Sequence, residues 1–90
     1  MAMVAVKIKI MPDSPSANTK KIGDEAKKII ESSLGKNCTI TEEPIAFGLK
    51  AVIAFFAWPE DDEIETLENK LKKIKNINSV QIIDMRRAVG

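Results

Sequence analysis

The 90-residue sequence contains no histidine and only one cysteine, and these two shortages limit the chemistry that the chain can carry. Histidine is the commonest general base and a frequent metal ligand, so most hydrolytic triads and zinc sites are excluded. The single thiol, Cys38, cannot form an intramolecular disulfide or supply the ligands of an iron–sulfur cluster. The composition therefore favours a binding protein over an enzyme, with no metal or other cofactor of its own.

Excess charge and long apolar runs are also missing. Fourteen basic residues against 13 acidic ones leave a net charge of +1, so no overall positive field indicates a nucleic-acid binder. The longest uncharged apolar run, Ala51–Pro59, is too short to cross a bilayer. The N-terminal segment carries Lys7 and Lys9 and does not have the pattern of a signal peptide. We expect one domain over residues 1–90, located in the cytoplasm and not bound to a membrane.

What the sequence does contain is hydrophobic residues at regular spacing, which changes along the chain between the period of a strand and the period of a helix. A period of two predicts a strand at Val4–Ile10, and helical spacing predicts a helix at Ala17–Leu34. Gly35 is expected to take the left-handed conformation just past that helix. The other predicted elements are a short strand at Cys38–Thr41, a strand at Leu49–Trp58, a helix at Asp61–Lys75 and a strand at Val80–Arg87.

The order β-α-β-β-α-β predicts an α+β fold. Two right-handed crossovers on one sheet give a ferredoxin-like sandwich, with a four-stranded antiparallel sheet and both helices on one face. The strand Leu49–Trp58 is apolar on both alternating sets, which indicates a central position. In the last strand a bulge near Asp84 is needed to bring Val80, Ile82 and Met85 to one face.

Most polar clusters have a plain structural interpretation. Acidic residues 60–68 and the basic run Lys70–Lys75 lie at opposite ends of the second predicted helix, where they offset the helix dipole. A solvated helix is therefore favoured over a metal or phosphate site. Cys38 is interpreted as a small core residue rather than a reactive thiol, because its only cationic neighbour in the sequence is Lys36.

Two alternative functions remain open at this point. Lys7 and Lys9 together with Phe56 and Trp58 are compatible with an RNA- or ribosome-binding module that uses the open face of the sheet. The first strand has no aromatic residue, however, and Phe56 and Trp58 are better explained as core residues or a small contact patch. A small-ligand regulatory domain that works as a dimer is the other alternative.

Two segments are not explained by packing alone. The loop Glu43–Lys50 places Phe47 between Pro44 and Gly48, and large apolar residues at such tips are commonly contact anchors. The pattern fits equally well with a Phe47 that folds back onto the core. Near the other end of the chain, Arg86 and Arg87 either lie along the surface or bind a carboxylate or phosphate.

These segments resemble a known family. The first strand Val4–Pro12, the loop Glu43-Pro44-Ile45-Ala46-Phe47-Gly48-Leu49-Lys50 and the ending Val80–Arg87 are similar to the guanine nucleotide exchange domain of elongation factor 1-beta and 1-delta, especially its archaeal members. The resemblance implies a ferredoxin-like domain that does no covalent chemistry. Such a factor binds the GDP-bound GTPase elongation factor 1-alpha and speeds replacement of GDP by GTP for aminoacyl-tRNA delivery.

The resemblance also implies the residues that contact the partner. Phe47 matches the loop aromatic that enters a pocket on the GTPase in eukaryotic members. Those members have a lysine next to the C-terminus that disturbs the Mg²⁺ site, whereas the matching position here is Gly90. We expect the protein to be a monomer on its own and to make no direct contact with nucleic acid. The predicted contact residues are Pro44, Ile45, Ala46, Phe47, Gly48, Arg86 and Arg87.

Overall fold

The computed structural model describes residues 2–87, and its elements follow the predicted order. The strands are β1 (Met3–Pro12), β2 (Lys36–Pro44), β3 (Lys50–Pro59) and β4 (Ile77–Arg87), and the helices are α1 (Thr19–Ser32) and α2 (Glu65–Leu71). No helix in this part of the chain is long and apolar enough to cross a bilayer. Gly90, the position matched to the C-terminal lysine, lies outside the described residues.

The four strands form one antiparallel sheet in the order β2-β3-β1-β4. This confirms the ferredoxin-like βαββαβ sandwich and the central positions of β1 and β3. Alternate residues of the strands join the apolar stripes of α1 and α2 in a single core, so both helices cover the same face of the sheet. The fully buried members of this core include Val6, Ile8, Ile10, Ala26, Ile30, Val52, Ala54, Phe56 and Leu71.

The predicted bulge in β4 is confirmed. The pairing with β1 shifts by one residue between Ile82 and Asp84, so that Ile83 is the extra residue. The shift keeps the apolar residues before and after it on the core side of the strand. Val80, Ile82 and Met85 lie opposite Ile10, Ile8 and Val6, respectively.

The predicted bounds of the second helix, Asp61–Lys75, were wrong, because α2 covers only Glu65–Leu71. Before the helix, the Trp58 indole N–H donates to the Asp62 carbonyl oxygen at 3.0 Å and holds the chain in a turn. After it, bonds from Lys73 to Lys70 and from Ile74 to Leu71 tighten the backbone. Most of the charged residues that we placed in the helix therefore lie in the turns around it.

The prediction of a left-handed Gly35 was also wrong. Among residues 2–87 the positive φ angles belong to Asn37, Phe47, Asn76 and Gly48. Gly35 is required for another reason: a Cβ atom there would lie 2.3 Å from Cγ2 of Ile30, which is fully buried. The absence of a side chain at Gly35 thus allows the chain to turn tightly between α1 and β2.

Candidate functional site

The β2–β3 loop is a short turn closed by backbone hydrogen bonds. Ile45 N–H donates to the Leu49 carbonyl oxygen at 2.7 Å, and Leu49 N–H donates to Ala46 at 3.4 Å. The tip bends through two consecutive left-handed residues, Phe47 at φ 64° and Gly48 at φ 75°. The tip is therefore a closed turn with a defined backbone conformation.

Phe47 stands at the tip of this turn with 93% of its surface exposed. The alternative in which it folds back onto the core was wrong. A left-handed conformation costs a bulky residue about 1–2 kcal/mol, and exposure forgoes the free energy that burying an aromatic ring would contribute. Both features are unfavourable for the isolated protein, and exposed large apolar side chains of this kind are typical of interaction sites.

The connection between β1 and α1 lies beside the β2–β3 loop, a neighbourhood that the sequence reasoning missed. The Pro15 Cβ atom lies 4.0 Å from the position that a Cβ atom on Gly48 would occupy. The Thr19 hydroxyl donates to a carboxylate oxygen of Glu42 at 2.9 Å. Because the first turn of α1 contains no acidic residue, Glu42 of β2 supplies the negative charge that favours this helix N-terminus. The only sign of this contact in the sequence was the pair Glu42 and Glu43 near the end of β2, for which the pattern offered no explanation.

Arg86 and Arg87 lie on the exposed end of β4, and each pairs with a carboxylate. Arg86 Nε is 3.1 Å from Asp84 Oδ2, and the Arg87 guanidinium forms an ion pair with Glu60. Both arginine side chains remain largely exposed. Exposed pairs of this kind contribute only about 0–1 kcal/mol to stability, so the guanidinium groups can exchange partners at little cost.

The predicted contact residues form two separate groups rather than one. Pro44 pairs with Lys50 at the end of β3 next to the loop, whereas Val4 at the far end pairs with both Trp58 and Arg87. At about 3.3 Å per residue, the eight steps from Lys50 to Trp58 span roughly 26 Å. Phe47 and the arginines therefore lie at opposite ends of the sheet.

Two of the three aromatic residues of β3 lie on the helix side of the sheet, not on the open face that the RNA-binding alternative requires. Phe56 and Trp58 are buried on the helix side, in an edge-to-face pair with ring centres 6.1 Å apart. That alternative was wrong in placing them on the open face. The aromatic residue on that face is Phe55, which lies opposite Lys7 and is 47% exposed.

Cys38 is buried in the core, as expected. Burial raises the pKa of its thiol to about 11, with Glu31 adding to the effect and Lys27 opposing it. The thiol is therefore protonated at neutral pH. Within residues 2–87 there is no group of three His, Cys, Asp or Glu side chains that could hold a metal ion.

The chain is similar to proteins of translation elongation. Residues 5–88 match the family described as the EF-1 guanine nucleotide exchange domain. Elongation factor 1-beta of Methanosarcina barkeri is 35% identical, with 97% of this chain and 99% of the relative aligned. Elongation factor 1-beta of Methanocaldococcus jannaschii is also 35% identical, over 98% of this chain and 100% of the relative.

A solved structure supports the fold alone. The ACT domain of a GTP pyrophosphokinase from Chlorobium tepidum aligns with a TM-score of 0.60 over 88% of this chain and 96% of that chain. Its sequence identity is 20%, which carries no information about function.

Proposed function

The chain belongs to the EF-1 guanine nucleotide exchange domain family and is a guanine nucleotide exchange factor for elongation factor 1-alpha; we propose that it acts on the GDP-bound GTPase through the exposed β2–β3 loop. We propose further that residues 1–90 form a single exchange domain, which works in the cytoplasm and is a monomer on its own. In this proposal it does no covalent chemistry, needs no cofactor and makes no direct contact with nucleic acid.

The observation that carries this proposal is the exposure of Phe47 on a closed, left-handed turn. A buried aromatic anchor commonly contributes 2 kcal/mol or more to an interface. The backbone hydrogen bonds at Ile45 and Leu49 already hold the turn, so little conformational entropy remains to be lost when Phe47 enters a pocket. The loop is thus suited to bind a preformed apolar pocket on a partner.

Nucleotide exchange explains why such contacts suffice without catalytic residues. A GTPase holds Mg²⁺ and the phosphates through switch loops, and a displacement of these loops weakens several contacts together. Coupling is reciprocal, so a factor that loosens GDP is itself loosened by GDP to the same extent. A thousandfold loss of nucleotide affinity requires about 4 kcal/mol of the factor's own binding free energy. Anchors such as Phe47 are the proposed source of that free energy.

The direct test is the release of a fluorescent GDP analogue from an archaeal elongation factor 1-alpha. We expect micromolar concentrations of this protein to speed release at least about tenfold, because lowering the activation free energy of release by roughly 1.4 kcal/mol already corresponds to that factor. The rate should saturate as the complex fills. A release rate that does not change with the concentration of this protein would contradict the proposed function.

Arg86 and Arg87 are proposed to bind a second part of the partner, remote from Phe47. We expect Arg86→Ala or Arg87→Ala to raise the concentration needed for half-maximal exchange by about three- to tenfold, since a charge-assisted hydrogen bond contributes roughly 1 kcal/mol or more. The melting temperature should change little, because both ion pairs are exposed. Concentration dependence identical to that of the unchanged protein would remove these residues from the interface.

A further inference from the structure

A groove made of two adjoining hollows lies in the helical layer, between α1 and the segment from Lys70 at the end of α2 to Asn76. We name it the interhelical groove. Its apolar floor and its basic rim come from both sides, and Glu25 lies where the two hollows adjoin. The floor is formed by the partly buried Ile29 and by the edges of the core residues Ile22 and Ile74. The rim is formed by Lys21, Lys28, Lys70, Lys73 and Lys75.

The rim concentrates positive charge in a chain that is almost neutral. Five lysines face one glutamate along the groove, whereas the whole sequence has 14 basic and 13 acidic residues. The ion pairs within residues 2–87 are those of Arg86 with Asp84 and of Arg87 with Glu60, so none of the rim lysines is neutralised by an ion pair there. The lysines therefore produce a local positive potential.

The shape and chemistry of the groove indicate the kind of ligand. The part between Ile29 and Ile74 has a volume of about 260 Å³ and is open to solvent. That is below the roughly 300–1,000 Å³ typical of sites that enclose small molecules. The lining contains no arginine and no aromatic residue, the groups that bind RNA by forked hydrogen bonds and by stacking. An apolar floor between two basic edges instead fits an amphipathic helix with acidic flanks.

We propose that the interhelical groove binds an acidic amphipathic helix of a partner protein. The apolar side chains of that helix lie on Ile29 and Ile74, and its carboxylates lie against the rim lysines. The groove shares no residue with the β2–β3 loop or with the arginines of β4. It is therefore a contact site additional to the one through which exchange is proposed to occur.

The test uses a synthetic helical peptide and two matched double variants of the whole protein. The peptide has about 15 residues, with leucine at helical spacing and glutamate on the flanks. Lys21→Glu with Lys28→Glu reverses two charges on the rim. Lys20→Glu with Lys27→Glu reverses two exposed charges of the same helix one position earlier, outside the groove. Both variants carry the same net charge. A difference in peptide affinity between them therefore reports the charges that line the groove and not the net charge of the protein.

We expect saturable binding of the peptide by fluorescence anisotropy at about 0.1 M salt, where the Debye length is roughly 10 Å. The dissociation constant should rise at least about tenfold in the rim variant and less than about threefold in the control, because Lys21 and Lys28 line the groove whereas Lys20 and Lys27 do not and are screened by solvent and salt. Replacing the leucines of the peptide with serine should abolish binding to the unchanged protein.

Three results would overturn the proposal. The first is an absence of saturable binding by the unchanged protein, and the second is an equal loss in the two double variants. The third is binding that survives the leucine-to-serine change or is displaced by a short RNA more readily than by unlabelled peptide, which would assign the groove to a polyanion. All three measurements report binding to the groove and are independent of the exchange assay.

Discussion

Replacing Phe47 with alanine should slow exchange at least about tenfold, because an aromatic anchor contributes roughly 2 kcal/mol or more to a protein interface. The melting temperature should stay within about 2 °C of the original value, since the side chain is 93% exposed and contributes almost nothing to the core. Fluorescent-GDP release and thermal unfolding of the same preparation give both values.

Two further variants separate the side chain from the backbone at this position. Phe47→Gly should lose as much exchange activity as Phe47→Ala but melt at an equal or higher temperature, because glycine adopts a φ of 64° without strain. Phe47→Leu should retain part of the activity, since it keeps an apolar anchor. A large fall in melting temperature for Phe47→Ala, or exchange at the original rate, would contradict the assignment of Phe47 to the interface.

Replacing Gly35 with alanine should lower the free energy of unfolding by about 2–3 kcal/mol, as expected when a methyl group is forced into a filled core. The new Cβ atom would lie 2.3 Å from Cγ2 of Ile30 and 3.0 Å from the Ile30 carbonyl oxygen. Neither atom can move easily, because Ile30 is fully buried in α1. For a domain of this size the melting temperature should fall by roughly 8–20 °C.

Gly23→Ala is the matched control for this change. Its Cβ atom would meet only side chains, with Cγ2 of Ile40 at 2.8 Å, and the gain in helix propensity offsets about 1 kcal/mol of the resulting strain. We expect a smaller loss of stability than for Gly35→Ala, measured by urea unfolding at constant m. An unchanged midpoint for Gly35→Ala would contradict the close approach of Gly35 to Ile30.

The fold could be predicted from the sequence wherever periodicity reports burial directly. The alternation of Val4–Ile10 and the doubly apolar Leu49–Trp58 predicted the layers and the central strands. Even the bulge near Asp84 followed from the misfit between Ile82 and Met85. The start of the second helix could not be predicted, because the turn before α2 depends on a hydrogen bond from the Trp58 indole to a backbone carbonyl.

The site was harder to predict than the fold. A phenylalanine in a hairpin loop is compatible both with an exposed contact residue and with a core residue. The exposed position of Phe47 became evident only with the left-handed backbone of the turn. Likewise, a strand that is apolar on both faces does not reveal which alternate set meets the helices. Phe55 and Phe56 could not be distinguished from the pattern alone, and their faces follow from the register with β1.

The central strand β3 runs without interruption from the Phe47 loop to the end of the sheet that carries Arg87. If both ends bind one GTPase, as proposed, β3 is a rigid spacer between two linked contacts, and the second contact forms at the high effective concentration set by the first. The gain is lost when the two sites on a partner are separated by a different distance. The length of one strand, rather than the chemistry of either contact, would then select the correct partner.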